Sequence, residues 1–471
     1  MASSKFELFC AVLLGLGQMC IMIGIDTQTF VVEAVIHSVH RRNPTLVNMY
    51  AGYYGEAILW GSFMLSCIIA PALVSMITAK WALFLSSICC TLYLAAFQYL
   101  NNYILYTTFV ILGFGLALYY VAGGIYLACH STKRNIEKNT CISWSLMSSS
   151  AMLGSIALFV VAAYHQESKE PKEEGRRAPR QRVFSENEIR CMYGIFAVIA
   201  GVSNVIFACL PKKPVENCIE DENETSFRGG VRLMLEAFTD RRVIMLIPLS
   251  LYSGLLTLFW TSVYPTSLLF TRTLDTHIYL HGFYSLTVGS GEVLLGCFVA
   301  GMSKKIRNFG LTPSMCLGTV LSIAALTAAL ATVPKTATYE ISSERALFVQ
   351  PSLSTTIITA FLLGAADSCI QNSRTVVLCV AAKPGQRLHA FAISRLYQGL
   401  SASALMFLSP YMSIYVYFVL LGSFLLISLI GFLKAIKQPK QPSEESANSA
   451  PDVLPEKQNY DGDNFKNELD H

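Results

Sequence analysis

Twelve apolar stretches, each long enough to cross a bilayer, leave this chain little choice of fold. The hydrocarbon core is about 30 Å thick and an α-helix rises about 1.5 Å per residue, so roughly 20 apolar residues span it. Such stretches lie at about 6–29, 52–77, 81–100, 103–128, 141–164, 191–210, 243–270, 281–301, 311–333, 355–380, 388–410 and 412–433 of the 471 residues. Only 14% of the residues are charged and 53% are hydrophobic, against about 25% charged in a soluble domain. One large soluble fold is therefore excluded. Hydrocarbon cannot hydrogen-bond the backbone, so each stretch has to satisfy its own N–H and C=O groups and reads as a helix. The first stretch is too long for a signal-peptide core and no small-residue cleavage site follows it, so it reads as a retained span.

A polar stretch, PKKPVENCIEDENETSFRGGVRLMLEAFTDRR from Pro211 to Arg242, has six spans before it and six after. This layout predicts an all-α membrane protein with twelve transmembrane helices in two pseudo-symmetric six-helix halves, the major facilitator fold. The N-terminal half covers 1–210, a cytosolic linker 211–242, the C-terminal half 243–433 and a disordered cytosolic tail 434–471. The tail is rich in Pro, Ser, Asn and acids, with too few apolar residues to fold alone. The halves echo each other. LGFGLALYYVAGGIYL (112–127) and LGAADSCIQNSRTVVL (363–378) begin and end alike at an offset of 251. At the same offset Ile142 and Ser143 match Ile393 and Ser394, and Ser150 and Ala151 match Ser401 and Ala402. Spans 4 and 5 thus correspond to spans 10 and 11, as duplicated transporter halves require.

Lysine and arginine set the orientation. With the N-terminus in the cytosol, most of them fall in cytosolic loops; the main exception, the loop 165–190, also carries glutamates. Both termini are expected in the cytosol, in a plasma or endolysosomal membrane. The sequon Asn223-Glu224-Thr225 then lies on the cytosolic side and is expected to carry no glycan. Most of the fourteen cysteines fall within spans or at their ends and read as small packing residues. No zinc-type spacing occurs, and neither metal nor cofactor is implied.

The polar residues inside the spans carry the functional question. Gly15, Gln18, Met22, Asp26 and Thr29 share one face of span 1. Asp26 stands towards the outer end, where it either serves a site or reaches the interface. Glu56, at the start of span 2, reads as an interfacial carboxylate. Gly113, Gly115, Gly123 and Gly124 of span 4 let neighbouring helices approach closely. The serines of span 5, ISWSLMSSSAMLGS, either pack or line a path. Span 7 places Ser253, Thr257, Trp260 and Tyr264 on one stripe, with Pro265 near its outer end. Glu292 lies mid-way along span 8, at the depth of Ser66 and Cys67. Asp367, Gln371 and Arg374 share one face of span 10, and Arg395 and Gln398 one face of span 11, with Ser394 beside them.

An unpaired charge at such depth costs at least about 2.5–3.5 kcal/mol, so each of these groups needs a partner or water. The candidate substrate-binding or coupling set is Gln18, Asp26, Glu292, Asp367, Gln371, Arg374, Arg395 and Gln398. Two readings compete: a substrate- or proton-linked network, or internal salt bridges locking spans 8, 10 and 11. Both arginines stand in the cytosolic thirds of their spans, within snorkelling reach. No nucleophile–base pair or phosphate loop points to an enzyme. GSGE at 289–292 mimics a glycine loop but lies inside a span.

The passages LYSGLLTLFWTSVYP, GEVLLGCFVAGMSKK, FLLGAADSCIQNS and HAFAISRLYQGLSA, with RNIEKNTCISWSLMSSSAMLGS in the first half, resemble the uncoordinated-93 family. This is a divergent branch of the major facilitator superfamily, and the resemblance is closest to its subgroup major facilitator superfamily domain-containing protein eleven. It covers nearly all twelve spans and excludes the 165–190 loop and the tail. The resemblance implies the twelve-span fold. It also brings in accessory roles, since one member regulates a potassium channel and another escorts innate immune receptors. Carried over by residue, Glu292, Asp367 and Gln371 match polar positions of the subgroup, and Arg395 falls where it has a basic residue. Typical facilitators carry a Gly-x-x-x-Asp-Arg-x-Gly-Arg loop after span 2; here the turn is only ITAKW, and GMSKKIRNFG after span 8 is a partial echo. The expected function is a non-enzymatic accessory, regulatory or trafficking protein of membrane proteins such as ion channels. The alternative is a secondary active transporter of a small solute, with proton coupling. The implied partners are the lipid bilayer, then a channel or receptor, or a small solute, and no nucleic acid.

Overall fold

The computed structural model describes residues 2–132, 135–167, 184–213, 215, 218, 227–274, 277, 279–306, 309–381 and 387–437. Met1–Ile436 is one compact unit; of the second, Lys437–His471, only Lys437 is described. The tail beyond Lys437, the sequon at Asn223 and the middle of the 165–190 loop lie outside the described residues, and residues 434–437, expected in the tail, extend the last helix.

The first half contains α1 (Ala2–Thr29), a short α2 (Val32–Arg42), α3 (Ala51–Ile77), α4 (Ala79–Ala96), α5 (Asn102–Cys129), α6 (Ile136–Glu167) and α7 (Glu186–Ala208). The dividing stretch holds α8 (Phe227–Phe238) and leads into α9 (Arg241–Met245). The second half contains α10 (Ile247–Leu258), α11 (Tyr264–Leu269), α12 (Leu280–Lys305), α13 (Thr312–Thr332), α14 (Leu353–Ala381), α15 (Arg387–Leu408) and α16 (Ile414–Lys437). Side-chain caps begin α5 and α7. Asn101 accepts from the Ile104 N–H at 2.9 Å to begin α5, and Ser185 with Glu188 forms a capping box at α7.

Ten of these helices are long and apolar enough to cross a membrane by themselves, among the described residues. The other two spans depart from a plain apolar helix for identifiable reasons. Span 11, α15, carries Arg395 and Gln398 in its interior. Span 7 is built from α10, a π-helical turn over Phe259–Val263, and α11. In that turn the Tyr264 N–H donates to the Phe259 carbonyl, and Pro265 has no N–H to offer the Trp260 carbonyl. Tyr284 of α12 supplies the missing donor through its hydroxyl. The twelve spans form two six-helix halves, as the hydropathy pattern predicts.

The internal echo is physical. Gly113 faces the Leu59 carbonyl so closely that a Cβ there would sit 2.2 Å from its oxygen; Gly364 meets the Val288 carbonyl at the same 2.2 Å. Ser143 donates to Gln18 at 3.0 Å, and its counterpart Ser394 shares a 2.8 Å hydrogen bond with Ser250. Ser150 donates to Asp26 at 3.0 Å, and its counterpart Ser401 to the Leu251 carbonyl at 2.8 Å. Each serine thus ties span 5 to span 1, or span 11 to span 7. In this register Glu292, one turn beyond Val288, falls opposite Phe63, one turn beyond Leu59. That is about a turn short of the Ser66 and Cys67 expected.

The halves meet where α3 packs on α15 and α6 on α12. Ser403 donates to the Ala57 carbonyl at 2.8 Å and Ser285 to the Ala151 carbonyl at 2.9 Å across these contacts. Two connecting helices that the polarity of their sequences does not announce reinforce them. On the face where α1 begins, α8 packs on both α3 and α15 and buries Met234 and Ala237. On the opposite face α2 packs on α3 and α11. There Tyr53 donates to the Thr338 carbonyl at 2.7 Å, and the Tyr54 and Tyr411 hydroxyls lie 3.3 Å apart. The ITAKW turn between α3 and α4 puts Thr78 at φ 71 and ψ 151, a conformation that favours glycine.

Of the span 4 glycines, Gly113, Gly115 and Gly123 each meet a neighbour within 3.0 Å of a built Cβ, whereas Gly124 faces open space. Gly113→Ala is expected to push α3 and α5 apart and destabilise the protein by about 1–3 kcal/mol. Gly124→Ala should be near neutral in the same thermal unfolding series on purified protein. Equal behaviour of the two variants would contradict close approach as what joins these helices.

Candidate functional site

The predicted site residues fall into an acidic group, a basic group and one outlier. Asp367, on α14, is 6% exposed and accepts from Thr257 at 3.4 Å and from Gln371 at 3.3 Å. Gln371, one turn further on, also donates to Thr257 at 3.1 Å and accepts from Ser253 at 3.2 Å. The expected stripe of span 7 thus faces span 10 through Ser253 and Thr257. Trp260, inside the π turn, still lies beside Asp367, whereas Tyr264, beyond the turn, packs instead against Tyr284, with ring centroids 5.8 Å apart.

Asp26 is held inside the bundle by Ser150, mid-way along α6, and so does not reach the interface. Glu292 of α12 is partly buried and has Asp367 and Asp26 as its charged neighbours. Three carboxyl groups, one from the first half and two from the second, therefore share one region. Gln18 lies apart with Ser143 and beside Gly123.

The basic group differs in kind. Arg374, 3% exposed, donates to the side-chain oxygen of Gln398 at 2.7 Å. Arg395 donates to the same oxygen at 2.9 Å. Its guanidinium carbon also lies 4.2 Å from the centroid of the Tyr120 ring on α5, a cation–π contact between the halves. Neither arginine snorkels, and among the described residues neither makes an ion pair; the ion pairs there are His37–Glu33, Arg190–Glu186 and Arg232–Glu236. The salt bridges expected between spans 8, 10 and 11 are not formed.

Tyr120 joins the two groups, being within electrostatic range of Asp26, Asp367, Arg374 and Arg395. Sequence reasoning passed over it as one aromatic in a packing passage. Its offset of 251 from Gln371 was the available signal, because it places Tyr120 at the position in span 4 that the site glutamine holds in span 10.

Comparison with known proteins agrees with this architecture. The sequence model of the family described as "Ion channel regulatory protein UNC-93" matches residues 43–433. The chain belongs to the UNC-93 family. It is similar to the UNC93-like protein MFSD11 of Xenopus laevis, 26% identical over 431 residues, covering 88% of this chain and 92% of the relative. The Xenopus tropicalis protein of the same name matches at the same 26% identity over 431 residues. Among solved structures, the nucleoside transporter NupG superposes with a TM-score of 0.59 at 12% identity, covering 92% of this chain and 100% of its own. A D-xylose-proton symporter does so at 0.59 and 13%, covering 90% and 96%. At such identities these two establish the fold alone, that of major facilitator transporters.

A second polar cluster of this UNC-93 family chain lies on the face away from the N-terminus. Glu33 of α2 is 1% exposed, with Oε1 3.4 Å from His37 Nε2. Tyr53, Tyr50, Tyr106 and Glu56 are its other titratable neighbours. Glu56 itself is 2% exposed, beside Ser262 of the π turn. It is not interfacial as expected, because α2 and the second half cover it. Burial raises the Glu33 carboxyl, and its contact with His37 only partly offsets that. The folded chain then holds a proton that the unfolded chain releases, so this group's stabilisation is full at acid pH and is lost as pH rises through the raised value. Glu33→Gln should melt higher than the wild type at neutral pH and converge with it as pH falls below the ordinary glutamate range. A difference in melting temperature that does not change with pH would contradict this assignment.

Proposed function

We propose that the chain is a secondary transporter of a small solute, which binds at the centre between the two halves. One observation carries this reading: charged side chains from both halves lie within electrostatic range of Tyr120, with Arg395 against its ring, and do not pair with one another. A protein that needed only to lock its helices would set Asp367 or Glu292 against an arginine, since an unanswered charge at this depth is costly. Here hydroxyls and an amide answer Asp26 and Asp367, and a single amide oxygen answers both arginines. Charge is left over for a visiting solute. The two halves rocking about the α3–α15 and α6–α12 contacts would expose that centre to each side in turn. Asp26, Glu292 and Asp367 are the candidates for proton coupling, and both termini face the cytosol.

A second reading is an accessory or trafficking role for another membrane protein such as an ion channel. It is supported by the family's description and by the ITAKW turn, which lacks the acid and glycine of typical facilitators.

Flux into sealed vesicles holding the purified full chain, with a broad metabolite mixture and an imposed pH gradient, tests the two. Transport predicts saturable, gradient-dependent uptake that falls by about tenfold or more in Asp367→Asn and Glu292→Gln. No uptake by the wild type, with both variants folded and merely less heat-stable, would support the accessory role.

A further inference from the structure

We propose that the solute at this centre is a small oxyanion, received by Arg374 and Arg395; the inference rests on the transport reading above. The acids and the arginines of this centre are unequally satisfied. Asp367 has Thr257 and Gln371 as donors, and Asp26 has Ser150. Each guanidinium carries five N–H donors, yet the two arginines converge on one amide oxygen. That oxygen is neutral, so it accepts hydrogen bonds without cancelling charge. The like charges lie within electrostatic range of each other, and the nearest acid, Asp367, is not within ion-pair distance of Arg374.

Keeping two guanidiniums together in a membrane interior is costly unless an anion joins them. Their planar forks suit carboxylate or phosphate oxygens, which accept two parallel hydrogen bonds. Gln398 orients both forks, and the Tyr120 ring holds Arg395 from the other half. An anion bridging Arg374 and Arg395 would therefore also draw on the contact that links the halves.

The test is equilibrium binding to the purified full chain in phosphatidylcholine nanodiscs, read by calorimetry and by thermal shift. The probes are inorganic phosphate and succinate, with glucose and choline as neutral and cationic controls at matched ionic strength. We expect saturable binding of at least one oxyanion and none of the controls. Affinity should fall about tenfold or more in Arg395→Gln and recover in part in Arg395→Lys. Arg374→Gln serves as a second variant if it folds; Arg395, only partly buried, carries the test otherwise.

Preference between phosphate and succinate separates the two oxyanion types. A parallel arm replaces part of the phosphatidylcholine with phosphatidylglycerol. If a lipid headgroup is the source, this lipid raises the melting temperature of the wild type but not of Arg395→Gln, and it competes with free phosphate. Absence of any oxyanion effect, or equal effects in wild type and Arg395→Gln, overturns the proposal. Oxyanion binding without flux would overturn transport and leave the anion site standing. Glucose or choline flux without oxyanion binding would do the reverse.

Discussion

Hydrocarbon offers no hydrogen-bond partner, so every polar group set into these spans has to be answered from inside the protein. Most of the architecture follows from how that demand is met. Serines of spans 5 and 11 tie back to spans 1 and 7. The carbonyl freed at the π turn takes the Tyr284 hydroxyl. Glycines bring backbones together where side chains would hold them apart, and they do so at equivalent positions of the two halves, Gly113 and Gly364. The halves are alike because the same local solutions recur in each.

Against that background the centre stands out by being unevenly answered. Asp26 and Asp367 are matched by neutral donors, Ser150 and Thr257 from other helices and Gln371 from one turn along α14. Arg374 and Arg395 compete for Gln398, and no carboxylate closes the circuit. A structural salt bridge is strongest when both members are fixed and mutually satisfied; this arrangement has the fixed geometry without the mutual satisfaction. That combination suits a binding site, which has to be shaped in advance and electrostatically incomplete until its solute arrives.

The spans were legible because hydropathy over about 20 residues is a strong physical signal, and span 11 was legible despite its charges because its flanks are apolar. The repeat at offset 251 was legible from a handful of identities, since those identities are the serines and glycines that make the inter-helix contacts. What escaped was set by tertiary packing. α2 and α8 are short and mixed in polarity, so nothing local separates them from loop; what marks them is the surfaces of α3, α11 and α15 against which they lie. Glu56 looked interfacial from its place at the start of a span, and only the covering elements bury it. The salt bridges failed for a related reason. Helical spacing shows which charges share a face, but not the neighbouring hydroxyls and amides that reach them first.

Family membership and fold leave two activities open, and the site bears unequally on them. An accessory protein needs a surface that fits its partner, and that need puts no demand on the interior of the bundle. Two arginines at one amide oxygen there, one of them against a tyrosine of the opposite half, would be a standing cost with no return. In a carrier the same cost is offset each time solute binds, and because Tyr120 and Arg395 belong to different halves, binding is coupled to their relative position. The cation–π contact between them is where solute recognition and the movement of the two halves would meet.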